Sequence, residues 1–109
     1  MGRRDRRGKT ALHHAAEAGS RTCVSLLLEA GADSLAQDTM GGRTPLHLAA
    51  WHRRERAVAK LLALGDQRQY HVLDGVLGRA PLHLAAWQGD LRIVQLLLKV
   101  RVCRRTDAS

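Results

Sequence analysis

Apolar residues recur along this chain as two short segments in a fixed order. The first segment is small and apolar with a histidine inside it, and the second is an aliphatic run. The first segment reads Thr10-Ala-Leu-His-His-Ala-Ala16, Thr44-Pro-Leu-His-Leu-Ala-Ala50 and Ala80-Pro-Leu-His-Leu-Ala-Ala86, and the aliphatic runs are Val24–Leu28, Val58–Leu62 and Val94–Leu98. Because successive copies start 34 and 36 residues apart, the pattern predicts three stacked repeat units.

Each unit is predicted to form two short helices joined by a turn. Thr10 and Thr44 are helix N-cap residues, since a hydroxyl there accepts a hydrogen bond from a first-turn amide. Pro45 suits the first helical position, where its missing N–H costs nothing. Gly31 and Gly65 are expected to end the outer helices in the left-handed conformation. The alanine pair of each inner helix allows neighbouring helices to approach closely.

The T-P-L-H-x-A phrase at this period resembles the ankyrin repeat, and the resemblance runs from Asp5 to about Val100. It implies an all-α solenoid of helix–turn–helix units joined by β-hairpin-like loops. The expected division is a basic tail (1–4), repeat 1 (5–37), repeat 2 (38–73), repeat 3 (74–100, incomplete at its C-terminal end) and a second basic tail (101–109).

The resemblance gives one set of motif residues a structural role. It implies that the repeated histidine of each unit hydrogen-bonds the loop backbone and locks the unit. Helices of neighbouring units pack about 8–10 Å apart, so the three rings form a ladder and cannot share one metal ion. The structural set is Thr10, His13, Thr44, His47, His83, Gly31 and Gly65.

Three positions depart from the repeat pattern. His14 stands where the other units have Leu48 and Leu84. Ala80 replaces the capping threonine, a loss of about 1 kcal/mol. Arg101 replaces the closing glycine, so the third outer helix either frays or runs on. With no obvious polar end caps, two interpretations stay open: a fragment or short form of a longer array, or basic ends that act as caps.

The formal net charge of +8 is concentrated at the ends, with +4 in residues 1–9 and +2 in residues 101–109. No apolar run approaches the ~20 residues of a membrane span, and no signal peptide opens the chain. Two unpaired cysteines fit a reducing compartment. We therefore expect an intracellular protein, cytoplasmic or nuclear, with no membrane contact, and a core role for Cys23.

Candidate chemistry is sparse. His14, His52 and His71 show no metal-ligand spacing with Cys23 or with each other. No serine stands in a glycine elbow, and no phosphate-binding loop precedes a helix. We expect a protein that has no cofactor or metal and is not an enzyme.

A candidate partner-binding surface comes from the position that follows each alanine pair. It holds Trp51 and Trp87 in units 2 and 3, and the resemblance implies that it faces a concave groove. Tryptophan and arginine are enriched in interface hot spots. The predicted set is Trp51, Trp87, Glu17, His52, Gln88 and a basic row of Lys9, Arg43 and Arg79. The alternative is that each tryptophan only packs on the neighbouring unit.

These features favour a protein-interaction module, an adaptor or scaffold that binds a partner segment through its loop tips and groove. A basic row beside aromatics suits an acidic, partly apolar segment. Two alternatives remain: a structural piece of a larger array that meets further ankyrin repeats, or charge-driven nucleic-acid association through the arginine-rich ends. The cluster of Arg53, Arg54 and Arg56 is either solvated or retained for a partner.

Overall fold

Six α-helices pair into three helix–turn–helix units. The computed structural model describes residues 4–39, 41–66, 68–69, 72, 74, 78 and 80–107, with side chains described up to residue 99. The helices are α1 (Ala11–Ala18), α2 (Arg21–Glu29), α3 (Pro45–Trp51), α4 (Glu55–Leu64), α5 (Pro81–Gln88) and α6 (Leu91–Asp107). The described residues include no strand, and the all-α repeat fold is confirmed.

The helices form two layers, with α1, α3 and α5 side by side in the inner layer and α2, α4 and α6 in the outer one. Between the layers lies one continuous aliphatic cluster, to which every unit contributes. Ala16, Ala50 and Ala85 are fully buried in it, so the inner helices approach closely, as the alanine pairs predicted. The third outer helix was expected either to fray or to run on. The structure shows that it runs on, because α6 continues to Asp107.

A buried histidine fastens the first unit to the second. The Thr10 hydroxyl accepts a hydrogen bond from the His13 N–H (3.4 Å), and His13 Nδ1 accepts one from the Thr10 N–H (3.0 Å). Because Nδ1 accepts, the ring proton lies on Nε2, which donates to the Arg43 carbonyl (2.9 Å) in the loop before α3. Both ring nitrogens of this fully buried side chain therefore have partners.

The same cap recurs in the second unit and is reduced in the third. The Thr44 hydroxyl accepts from the His47 N–H (3.3 Å), and His47 Nδ1 accepts from the Thr44 N–H (3.2 Å). Ala80 has no hydroxyl, so only the bond from its N–H to His83 Nδ1 (2.9 Å) is left. The predicted loss of a capping bond in unit 3 is thus visible.

The two closing glycines differ from each other. Gly31 has a φ of 93°, in the left-handed region that glycine favours. The prediction was wrong for Gly65, whose φ of −83° and ψ of 176° are extended. Glycine is needed there because a Cβ would stand 2.6 Å from the Leu61 carbonyl oxygen. The requirement at Gly65 is therefore space and not a left-handed backbone.

The core role predicted for Cys23 is also wrong, because this cysteine is exposed. Its equivalents Ala57 and Ile93 are fully buried, since a preceding unit packs on that side of units 2 and 3. His14 lies on the same side of unit 1, the side that faces away from unit 2, and its Nε2 is 2.8 Å from Asp5 Oδ2. These two polar or exposed residues stand where the later units bury apolar ones.

The turn of the second unit links all three units. Arg53 has a φ of 60°, at the position where unit 1 has Gly19, and a non-glycine residue in that conformation costs about 1–2 kcal/mol. Its Nε lies 3.7 Å from Asp90 Oδ2 in unit 3. Arg54 Nε donates to the Glu17 carbonyl in unit 1 (2.9 Å). Two arginines of the cluster therefore contact neighbouring units.

The His13 contacts predict a pH dependence of stability. Burial lowers the pKa of His13 in the folded protein below its ordinary value of 6.5. At a pH between the folded and the unfolded pKa of this ring, the unfolded chain therefore binds the proton more readily. The His13 contribution is complete above about pH 6.5 and is lost as the pH falls below it. Urea unfolding at pH 7.5 and 5.5 should show a larger loss of unfolding free energy for the wild type than for His13→Gln. Equal losses would contradict the assigned neutral ring.

The arginine contact predicts a difference between two neighbouring substitutions. Arg54→Ala removes the hydrogen bond to the Glu17 carbonyl and should lower the unfolding free energy by about 1 kcal/mol. Arg56→Ala, at an exposed side chain in the same cluster, serves as the control and should change it by less than about 0.5 kcal/mol. Urea denaturation followed by circular dichroism measures both, and an equal effect would show that Arg54 is only solvated.

Candidate functional site

The two tryptophans occupy equivalent positions but differ in exposure. Trp51 ends α3, is half-buried and packs against the core cluster. Trp87 lies in the last turn of α5 and is 76% exposed. Since α5 packs beside α3, Trp51 has a neighbouring unit to cover it. The packing alternative therefore describes Trp51, while the indole of Trp87 is available to a partner.

Glu17 occupies in unit 1 the position that holds a tryptophan in units 2 and 3, and its two carboxyl oxygens contact residues of units 1 and 2. Its Oε2 lies 3.1 Å from Lys9 Nζ, and its Oε1 lies 3.3 Å from His52 Nε2. Burial opposes ionisation of this carboxyl, yet the hydrogen bond and charge of Lys9, with the nearby histidines, hold its pKa below the ordinary value. The carboxylate is therefore ionised and paired within the chain.

The basic row predicted along the loops is not a free row. Lys9 is only 6% exposed and pairs with Glu17, so little of its side chain is free in the chain by itself, and its contact with a partner stays a prediction. Arg43 is half-buried, with its Nε 3.7 Å from Oδ2 of the buried Asp38. Arg79 lies outside the described residues. The positive charges of Lys9 and Arg43 are thus balanced by carboxylates of the chain itself.

The structure therefore brings the predicted residues together in two groups. Lys9, Glu17 and His52 form a polar network across units 1 and 2. At the other end of the row of inner helices, Trp87 stands beside the half-buried Gln88 at the end of α5. Between these two groups lies Trp51, largely used for packing. Chemically, the surface offers one free aromatic ring and a polar, charge-balanced segment.

The repeat pattern did not predict that residues on the side of unit 3 facing away from unit 2 would be exposed. Ala86 and Leu98 are exposed, although the equivalent Ala50 is fully buried. The available signal was the replacement of the closing glycine by Arg101, which removes the usual exit loop. In place of that loop, the backbone of α6 continues as helix to Asp107.

The described residues offer little for metal or membrane chemistry. No group of three or more His, Cys, Asp or Glu residues within them could hold a metal ion. None of the helices in this part of the chain is both long enough and apolar enough to cross a bilayer.

Comparisons with known proteins agree with the fold. The family model described as "Ankyrin repeats (3 copies)" matches residues 1–71, and the model "Ankyrin repeat" matches residues 77–107. Similarity extends to the nuclear factor NF-kappa-B p105 subunit of Gallus gallus, with 41% identity over 59 residues, which is 54% of this chain and 6% of that protein.

A second group of relatives is similar over a shorter segment. Neurogenic locus notch homolog protein 1 of Homo sapiens is 56% identical over 45 residues, and its Xenopus laevis counterpart is 53% identical over 45. These matches cover 41% of this chain and 2% of each relative. The chain thus spans a small fraction of the length of the proteins it matches.

Ankyrin repeats are protein-interaction modules, and the family is non-enzymatic. The family models cover nearly the whole described array, and they agree with the paired helices and the histidine caps. This chain belongs to the ankyrin-repeat family.

Proposed function

We propose that this protein is an adaptor that holds a segment of a partner protein against the ends of its inner helices and its loop tips. The observation that carries the proposal is the Trp87 indole, 76% exposed at the end of α5. Tryptophan is among the residues that dominate binding energy in interfaces.

The rest of the groove supports a partner of mixed character. The Lys9, Glu17 and His52 network is already paired, so it supplies fixed hydrogen-bonding groups more than free charge. Trp51 is held by the core and adds a rigid apolar edge. A partly apolar segment with a few polar groups fits this surface, and the net charge of +8 favours the approach of acidic partners.

The proposal places the protein inside the cell, in the cytoplasm or the nucleus. Cys23 is free and exposed, which suits a reducing compartment because an exposed thiol there stays reduced.

A capture experiment tests the proposal. The 109-residue chain, wild type or Trp87→Ala, is used to pull partners from nuclease-treated cell lysate. Truncation of a hot-spot tryptophan costs about 2–4 kcal/mol, so the client should be retained by the wild type and lost by the variant. Because Trp87 is so exposed, the variant should keep its helicity and its cooperative melt.

Two further variants make the capture result specific. Leu26→Ala removes another exposed apolar side chain, on α2, and should retain the client. Trp51→Ala combined with Trp87→Ala should lose the client and also some stability, since Trp51 packs on the core. Retention of the client by Trp87→Ala would contradict the proposal. Capture that occurs only when the nuclease treatment is left out would favour nucleic-acid association through the arginine-rich ends.

A further inference from the structure

A groove lies in the outer layer of the array, between α4 of unit 2 and α6 of unit 3. Arg56 and Ala59 line it on α4, and Arg92, Leu96 and Lys99 line it on α6. We call it the outer groove. Its volume is about 610 Å³, which is in the range of cavities that hold a ligand. Both of its walls are outer helices that pack side by side, and the inner helices contribute none of its described lining.

Two arginines stand at equivalent positions of the two walls. Contacts with neighbouring units account for Arg53 and Arg54 of the arginine cluster, whereas Arg56 is exposed and lines the outer groove. Arg92 is its equivalent on α6, and each arginine is the second residue of its helix. Positive charge in the first turn opposes the helix dipole. These two arginines are therefore not placed to stabilise their helices.

The described lining of the outer groove has a net charge of +2. Arg56, Arg92 and Lys99 are basic, and Glu55 supplies the one carboxylate of that lining. Glu55 Oε2 lies 3.6 Å from Arg92 Nη1, so the carboxylate is paired with one of the three basic groups. Arg56 and Lys99 are exposed, and the described lining holds no second carboxylate for them. Their charges are therefore available to an anionic group.

The floor of the outer groove is apolar and short. Ala59 and Leu96 are half-buried, and Leu96 packs against the core cluster. At about 1.5 Å per helical residue, the distance along α6 from Arg92 to Lys99 is roughly 10 Å, which about three residues of an extended chain cover. Gln95 also lines the groove, and its amide can both donate to a backbone carbonyl and accept from a backbone N–H. The groove thus has the length and the polar groups for a short extended peptide.

We propose that the outer groove binds a short extended segment of a partner protein, in which acidic residues flank an apolar one. The apolar side chain packs on Ala59 and Leu96. The carboxylates meet Lys99 and the guanidinium of Arg56, which can donate two parallel hydrogen bonds to a carboxylate. This site is separate from the surface of the inner helices and does not include Trp87.

Other occupants fit the outer groove less well. A single-stranded nucleic acid is held by aromatic side chains that stack on its bases, and no aromatic residue is among the described lining. A second copy of this chain carries a net charge of +8, so its approach to a basic groove is opposed by repulsion. An acidic peptide matches both the charge and the apolar floor.

The test uses the 109-residue chain and a fluorescein-labelled peptide of nine residues. The peptide has a central leucine, two glutamates on each side of it, and serine and glycine at both ends. Its fluorescence anisotropy should rise saturably with protein concentration. A control peptide with lysine in place of each glutamate should show no rise, and one with serine in place of the leucine should bind at least about fivefold more weakly.

Charge variants separate the outer groove from the general charge of the chain. The pair Arg56→Glu with Lys99→Glu should weaken binding of the glutamate peptide by at least about tenfold. The control pair Arg6→Glu with Arg21→Glu makes the same change in net charge at exposed residues of unit 1, away from the groove. This control should change the affinity by less than about threefold.

A substitution that keeps the charge tests the floor of the groove. Ala59→Leu fills part of the space and should weaken binding by at least about fivefold. Its control is Ala63→Leu, at an exposed position one turn further along α4, which should change the affinity by less than about twofold. Leucine is a good helix former, and a cooperative thermal melt by circular dichroism checks that both variants fold.

Four results would overturn the proposal. They are the absence of a saturable rise with the glutamate peptide, equal binding of either control peptide, an equal loss in the control arginine pair, and displacement of the peptide by an equal concentration of an oligothymidylate with four phosphates. Trp87→Ala should bind the peptide as the wild type does, and a loss of binding there would place the peptide on the inner helices instead. Failure of the outer groove is thus distinguishable from failure of the Trp87 site, which the lysate capture tests separately.

Discussion

The junction of units 1 and 2 depends on one interaction, a neutral buried histidine that bonds to its own helix cap and to the loop of the next unit, and the cap part of this interaction recurs in unit 2. His13 Nδ1 accepts a hydrogen bond from the Thr10 N–H, and its Nε2 donates one to the Arg43 carbonyl. A buried ring is stable only when both of its nitrogens have partners, so this contact fixes how far apart and at what register α1 and α3 lie. The aliphatic cluster between the layers can then close around helices that are already aligned.

Because each unit buries its neighbour, position in the stack decides which side chains are free. The same sequence position gives a half-buried Trp51 in the middle and an exposed Trp87 at the end. The two ends also differ chemically. Unit 1 shows His14 paired with Asp5 on its outer side, whereas unit 3 shows Trp87 and other apolar residues. Among the described residues, the side of unit 1 that faces away from unit 2 is therefore more polar than the corresponding side of unit 3.

Local patterns in the sequence predicted much of the fold. The threonine caps, the proline at the start of α3 and the aliphatic runs act within a few residues of themselves, and their effects are seen where they were expected. Exposure depends instead on what packs from outside the unit. For that reason a core role for Cys23 was predicted wrongly, and no local signal showed that Lys9 would be buried against Glu17.

Long side chains that reach into neighbouring units were equally hidden from the sequence. In the sequence, Arg54 belongs to an arginine cluster typical of a surface, yet its guanidinium reaches the end of α1. Arg53 adopts a backbone conformation usual for glycine, and its side chain lies near Asp90. Likewise Gly65 was expected from a helix-end rule, while the structure requires it because of the nearby Leu61 carbonyl. The contacts of Arg54 and Arg53 depend on distances between segments far apart along the chain.

Within the described chain, the next unit covers the side of unit 2 that carries Trp51, whereas Trp87 of unit 3 is left exposed. Acrylamide quenching of tryptophan fluorescence in two single-tryptophan variants, Trp51→Phe and Trp87→Phe, tests it most directly. Trp87 should emit at longer wavelength and be quenched severalfold more strongly than Trp51. Equal protection of the two rings would show that something in the chain itself covers Trp87, and would contradict the claim.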